Sequence, residues 1–128
     1  MNGGDAMQAL VIDDSRAIRM ILARMLTEAG MEVADAEHGR QALDLIDAGL
    51  VPELVLVDWN MPEMTGIEFL EAVRNPPYSS TARILMITTE TELPQVLKAL
   101  ESGADEYLMK PFTQEAVFAK LQLLGIEV

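Results

Sequence analysis

The sequence predicts an open, doubly wound α/β domain, a parallel sheet of five strands with helices on both faces. Two observations carry this. Short apolar runs alternate with helical hydrophobic patterns from one end of the chain to the other. The central run Leu54-Val55-Leu56-Val57 shows no polar alternation, as expected of a strand buried on both faces. A chain of 128 residues suits one domain and leaves no room for a second core.

Taken in order, residues 1–6, beginning Met1-Asn2-Gly3-Gly4-Asp5, read as a flexible lead-in, and residues 7–128 as the domain. Strands are expected over residues 8–12, 31–36, 54–57, 83–87 and 106–109. The first helix shows itself through Ile18, Ile21, Leu22, Met25, Leu26 and Ala29, which share one helical face. The other helices are expected near residues 40–48, 66–74, 94–102 and 114–124. Gly30, Gly49, Gly103 and Gly125 each follow a proposed helix, where a left-handed cap is wanted. Thr65 with Glu68 is a capping-box signature for the third helix, and Pro94 suits the first turn of the fourth. The stretch 75–82, with Pro76-Pro77, reads as a loop. Right-handed crossovers leave few sheet orders, and the flavodoxin-like order 2-1-3-4-5 is one of them.

Composition narrows the function. The chain has no cysteine, which excludes disulfides, thiolate metal sites and cysteine nucleophiles. The single histidine, His38, cannot build a metal cluster and reads as an exposed loop position. A net charge of −12, with nine scattered Lys and Arg, argues against direct nucleic-acid binding. No secretory signal and no membrane-length apolar run is evident, so the expected location is cytoplasmic.

In open parallel sheets ligands bind beyond the carboxyl ends of the strands. Asp13 and Asp14 follow the first strand, Asp58 the third, Thr88 and Thr89 the fourth, and Lys110-Pro111 the fifth. Each has an ordinary structural reading when taken alone: a helix N-terminus, a turn, a cap, a chain reversal. Together they converge on one sheet edge. Three close carboxylates raise one another's pKa, and a bound cation relieves the conflict; all-oxygen ligands point to Mg²⁺. Asp58, at the end of the most buried strand, is then the candidate nucleophile for a phosphoryl group, with Lys110 neutralising the phosphoryl oxygens and Thr88 donating to one of them.

These segments resemble the receiver domain of two-component response regulators, the CheY-like fold. The resemblance rests on Val11-Ile12-Asp13-Asp14-Ser15, Asp58-Trp59-Asn60-Met61-Pro62 with Gly66 beyond, Thr88-Thr89-Glu90, and the run from Gly103 through Lys110-Pro111-Phe112. It covers nearly the whole chain. It implies that Asp58 is the phosphoacceptor, that Asp14, Asp58 and the Asn60 carbonyl ligate Mg²⁺ directly, and that Asp13 helps through water. It further implies that Thr88 and Tyr107 form the switch, that Lys110 binds the phosphoryl group, and that the Lys110–Pro111 bond is cis. Asn60 and Glu90 occupy the positions that tune dephosphorylation; the same pair occurs in chemotaxis proteins of the CheY type, which implies a short-lived phosphoryl state.

The implied partners are a sensor histidine kinase as phosphodonor and a downstream protein target. The target is met on the face of the fourth helix, fifth strand and fifth helix. Monomer is the default state, with dimerisation through the fourth-helix face after phosphorylation as an option. The chain stops after the fifth helix, so output is expected through partner binding, unless the receiver belongs to a larger kinase or regulator. A Mg²⁺-dependent aspartyl-phosphate phosphatase is a further alternative; such enzymes carry a second Asp two residues after the nucleophile, where this chain has Asn60.

Overall fold

The computed structural model describes residues 6–89 and 93–128, so the expected lead-in at residues 1–6 lies almost wholly outside the described residues. Ten elements alternate: β1 (Gln8–Ile12), α1 (Arg16–Glu28), β2 (Glu32–Ala36), α2 (Gly39–Asp47), β3 (Leu54–Asp58), α3 (Gly66–Arg74), β4 (Arg83–Thr89), α4 (Leu93–Glu101), β5 (Glu106–Lys110) and α5 (Gln114–Leu123). The sheet is fully parallel in the order β2-β1-β3-β4-β5, as the sequence predicts.

Successive residues of a strand point to opposite faces, and here both faces are packed. Leu10, Ile12, Val55, Val57, Ile84 and Met86 join the cluster under α2, α3 and α4, whose contributions include Leu43, Phe69, Leu70 and Ala99. Ala9, Val11, Leu54, Leu56, Leu85 and Ile87 join the opposite cluster with Leu22 and Leu26 of α1 and Val117 and Leu121 of α5. This explains the unbroken apolar run of β3, whose five residues are all buried. On α1, Ile21 departs from the expected face and is exposed, while Leu22 and Leu26 carry the burial.

The helix signals hold. Thr65 Oγ1 accepts from the Glu68 N–H at 3.2 Å, and the Glu68 carboxylate accepts from the Thr65 N–H at 2.8 Å, closing the capping box of α3. His38 is a different matter from the expected exposed loop position: half-buried, it is the N-cap of α2, its Nδ1 accepting from the Gln41 N–H at 3.2 Å. Gly103 has φ +115°, a conformation that disfavours any side chain, where the chain turns from α4 into β5.

Three strands run further than their apolar patterns. β3 ends on Asp58, β4 on Thr89 and β5 on Lys110. The ladder pairs Asp58 with Ile87, Thr88 with Met109 and Thr89 with Lys110. Backbone pairing continues past the last apolar side chain because it does not depend on side-chain polarity. Asp58, Thr88 and Lys110 therefore sit on the last rungs of the sheet rather than in loops, while Asp13 and Asp14 follow β1.

Candidate functional site

Asp13 leaves β1 with its N–H donated to the Ala36 carbonyl at 3.1 Å, which ties it to the end of β2. Its Oδ1 accepts from the Ser15 N–H at 2.8 Å, and its carbonyl accepts from Arg19 at 2.8 Å. The residue is thus held at its N–H, its carbonyl and one carboxylate oxygen, and it is buried. Asp14, its neighbour, is exposed.

Asp58 is 6% exposed at the tip of β3. The chain beyond it is pinned, with the Trp59 N–H donated to Ile87 O at 2.8 Å and the Gly66 N–H to Trp59 O at 2.9 Å. The second bond brings the start of α3 against the Asp58 backbone. A Cβ at Gly66 would lie 2.5 Å from the Asp58 carbonyl oxygen, so only glycine permits this approach.

Asp13, Asp14 and Asp58 offer carboxylate oxygens that all lie within 4.8 Å of one another. Lys110 reaches into the same space: its Nζ is 3.2 Å from Asp13 Oδ2 and 3.3 Å from Asp58 Oδ1. Burial, and then the charge of Asp13, pushes the Asp58 carboxyl up to about 6 despite the opposing pull of Lys110. Burial alone would lower the Lys110 ammonium, but Asp58 and Asp13 outweigh it and hold the pKa above its ordinary value. Such a cluster of hard oxygen donors fits a divalent cation, which would relieve the repulsion that Lys110 only partly offsets.

Beside the cluster opens a cavity of about 340 Å³ lined by Asp58, Trp59, Asn60, Thr88, Thr89 and Gln95. Thr88 is buried, and its hydroxyl donates to the Thr89 carbonyl at 3.2 Å. The structure therefore unites Asp13, Asp14, Asp58, Asn60, Thr88 and Lys110 at one end of the sheet. Tyr107 stands apart from the cavity on the edge strand β5, paired with Met86. Glu90 lies outside the described residues. The Lys110–Pro111 bond is cis, and so is Pro76–Pro77.

Sequence reasoning missed three contributors. Arg19 and Ser15 fix Asp13, and Gln95 lines the cavity. Gln95 could have been found from its place: the first turn of a helix after β4 must start near the carboxyl edge of the sheet.

A parallel 2-1-3-4-5 sheet with an acidic cluster and a lysine at its carboxyl edge is a signal-receiving architecture. The family model described as the response regulator receiver domain matches residues 9–122. The chain belongs to this family, the receiving modules of two-component systems, whose members are signalling proteins and not classical enzymes. Its relatives are of the CheY kind. Chemotaxis protein CheY1 of Helicobacter pylori is 39% identical over 119 residues, covering 92% of this chain and 96% of that protein. Chemotaxis protein CheY of Pseudomonas aeruginosa is 36% identical over 117 residues, covering 91% and 94%. The solved structure of the chemotaxis response regulator CheY4 of Vibrio cholerae superposes with a TM-score of 0.86 at 37% identity, covering 94% of this chain and 99% of that one. No helix among the described residues is long and apolar enough to cross a membrane.

Proposed function

We propose that this receiver, residues 7–128, is switched by Mg²⁺-dependent phosphorylation of Asp58 and passes the signal on through a changed protein-binding face. The observation that carries the reading is Lys110 Nζ standing between Asp13 and Asp58 inside a cluster of three carboxylates. Asp14, Asp58 and the Asn60 carbonyl would hold Mg²⁺, with Asp13 acting through water. The ion would supply charge neutralisation on the phosphoryl oxygens.

An Asp58 carboxylate oxygen attacks phosphorus and the donor's leaving group departs with the electron pair of the broken bond. Lys110 is near enough to Asp58 to pair with a phosphoryl oxygen. Thr88, beside the same cavity, can turn its hydroxyl from the Thr89 carbonyl to the phosphoryl group. Tyr107 then follows Thr88, and the added charge biases an existing two-state equilibrium. Asn60 and Glu90 set the lifetime of the phosphoryl state.

The phosphodonor is a sensor histidine kinase and the output a protein partner. Exposed Leu97 and Leu100 on α4 and Met109 on β5 offer apolar contacts for it. The CheY relatives, chemotaxis proteins by name, support a chemotaxis circuit; in this reading the protein works in the cytoplasm and rests as a monomer.

Trp59, the only tryptophan, adjoins Asp58 and reports directly. Its fluorescence should change with Mg²⁺ and again with beryllofluoride, and the second change should be absent from Asp58→Asn. A silent Trp59, with no gain of phosphoryl mass from acetyl phosphate, would overturn the proposal.

A further inference from the structure

One wall of the cavity next to Asp58 carries a group for which the reaction described above has no use. Gln95, in the first turn of α4, lines the cavity together with Asp58, Trp59, Asn60, Thr88 and Thr89. Its Oε1 is buried and has no hydrogen-bond partner, the one such side-chain atom among the described residues. A buried amide oxygen without a donor is unfavourable in a folded protein, and a turn of the Gln95 side chain towards the cavity that the residue lines would bring the oxygen to a donor there. The cavity has room for several waters or for a phosphoryl group and a water. A phosphoryl group offers only acceptor oxygens on this side, so it cannot satisfy Oε1. A water can.

We propose that Gln95 is a positioning residue for hydrolysis of the Asp58 phosphoryl group, its Oε1 accepting a hydrogen bond from the attacking water. The inference rests on the phosphorylation of Asp58 argued above. In the hydrolytic step the water oxygen forms a bond to phosphorus while the bond from phosphorus to the Asp58 oxygen breaks. Asp58 leaves as a carboxylate with the electron pair, and the water's proton ends on the inorganic phosphate. Gln95 undergoes no chemistry. It fixes one O–H of the water so that a lone pair faces phosphorus, the role an amide side chain plays where a nucleophilic water must be oriented in line. Orientation of this kind acts on the water alone, so it separates hydrolysis from phosphorylation, in which no water attacks.

The test follows phosphoryl loss by intact mass after the full chain is loaded with acetyl phosphate and Mg²⁺ and the donor is removed. Gln95→Met keeps side-chain length and removes the acceptor; Gln95→Ala is the second variant should Met fail to fold. The expected result is decay slowed about tenfold, with an unchanged rate of phosphorylation and an unchanged Mg²⁺ midpoint in Trp59 fluorescence. Decay at the native rate in variants that load normally overturns the role of Gln95 alone. Parallel loss of loading and decay also overturns it, since a phosphoryl ligand or a packing residue would act on both. Failure of the native chain to gain phosphoryl mass overturns the underlying reading instead.

Discussion

The ammonium of Lys120 stands 4.5 Å from the centre of the Tyr107 ring, and the same nitrogen is 2.9 Å from Glu106 Oε1. That carboxylate oxygen also accepts from the Tyr107 N–H at 3.1 Å. One acidic side chain thus fixes both the backbone beneath the ring and the cation above it. The lysine bond helps to hold the Glu106 carboxyl below its ordinary pKa although burial works the other way.

This arrangement favours the ring position seen here, in which the Thr88 hydroxyl is donated to Thr89 and not towards a phosphoryl group. A partly exposed cation–π contact contributes about 0.5–1 kcal/mol. Lys120→Met should therefore release Tyr107 and raise beryllofluoride affinity about two- to fivefold, the same energy expressed as a population ratio. Titration followed by Trp59 fluorescence measures it, and unchanged affinity would remove Lys120 from the switch.

Asp58 should weaken the fold when no cation is bound. Its carboxyl is pushed up to about 6 in the native state against an ordinary value of 3.8. Between those values the native protein binds more protons at this position than the unfolded chain does, so stability falls as pH rises through the interval. Above about 6 the loss is complete and on the order of 1–3 kcal/mol. In chelator at pH 7, Asp58→Asn should be more stable than the native chain by an amount within that range, and the advantage should shrink towards pH 4. Urea denaturation at the two pH values tests both the sign and the window. Mg²⁺ should narrow the gap at pH 7, because it relieves the same repulsion.

Most of the fold and the cluster could be read from the sequence because both are written in local residue types. The unbroken apolar run of β3 announced a doubly covered strand, and Thr65 with Glu68 announced the start of α3. Asp13, Asp14, Asp58 and Lys110 followed strand ends that the sheet order makes neighbours. What escaped depends on approach between elements. Arg19 reaches the Asp13 carbonyl from the next helix, Gln95 joins the cavity from the first turn of α4, and His38 caps α2 through backbone geometry. For Arg19 and His38 a single sequence carries no signal of such approaches; for Gln95 the one signal is its place in the first turn of the helix after β4. The ends of β3, β4 and β5 were misjudged because the first polar side chain marks the end of an apolar run and not the end of a hydrogen-bonded ladder.

Gly66 should tolerate no side chain. Alanine there places Cβ 2.5 Å from the Asp58 carbonyl and 3.0 Å from Trp59 Cα, both backbone atoms that cannot swing aside. The better helix propensity of alanine offsets this by about 1 kcal/mol at most. Gly66→Ala should still lose about 1–2 kcal/mol net, within the range for overpacked sites. Because the displaced backbone carries Asp58, the proposed phosphoacceptor, the rate of phosphorylation by acetyl phosphate should fall as well. A variant with native stability and native rate would show that the loop can yield.

Arg74 should be among the most costly polar residues to remove, although it lies at the end of the sheet away from Asp58. Its guanidinium donates to the carbonyls of Gly103, Ser80 and Ala82 at 2.7–3.0 Å and to Asp105 Oδ2 at 3.0 Å. The same Asp105 oxygen accepts from the Ile84 N–H at 2.8 Å, so the network joins α3, β4 and the turn into β5. Gly103 fits beneath it only for want of a side chain, since a Cβ would lie 2.9 Å from Arg74 Cγ. Lysine cannot replace this fork, because one ammonium cannot reach three carbonyls and a carboxylate spread over the guanidinium plane. Arg74→Met should cost about 2–4 kcal/mol, since each hydrogen bond from a charged donor is worth about 1.5–3 kcal/mol and the bonds share one side chain. Arg74→Lys should recover less than half of it. Denaturant midpoints at a fixed Mg²⁺ concentration decide the matter: equal midpoints for the native and Met chains would mean that water replaces the fork without loss.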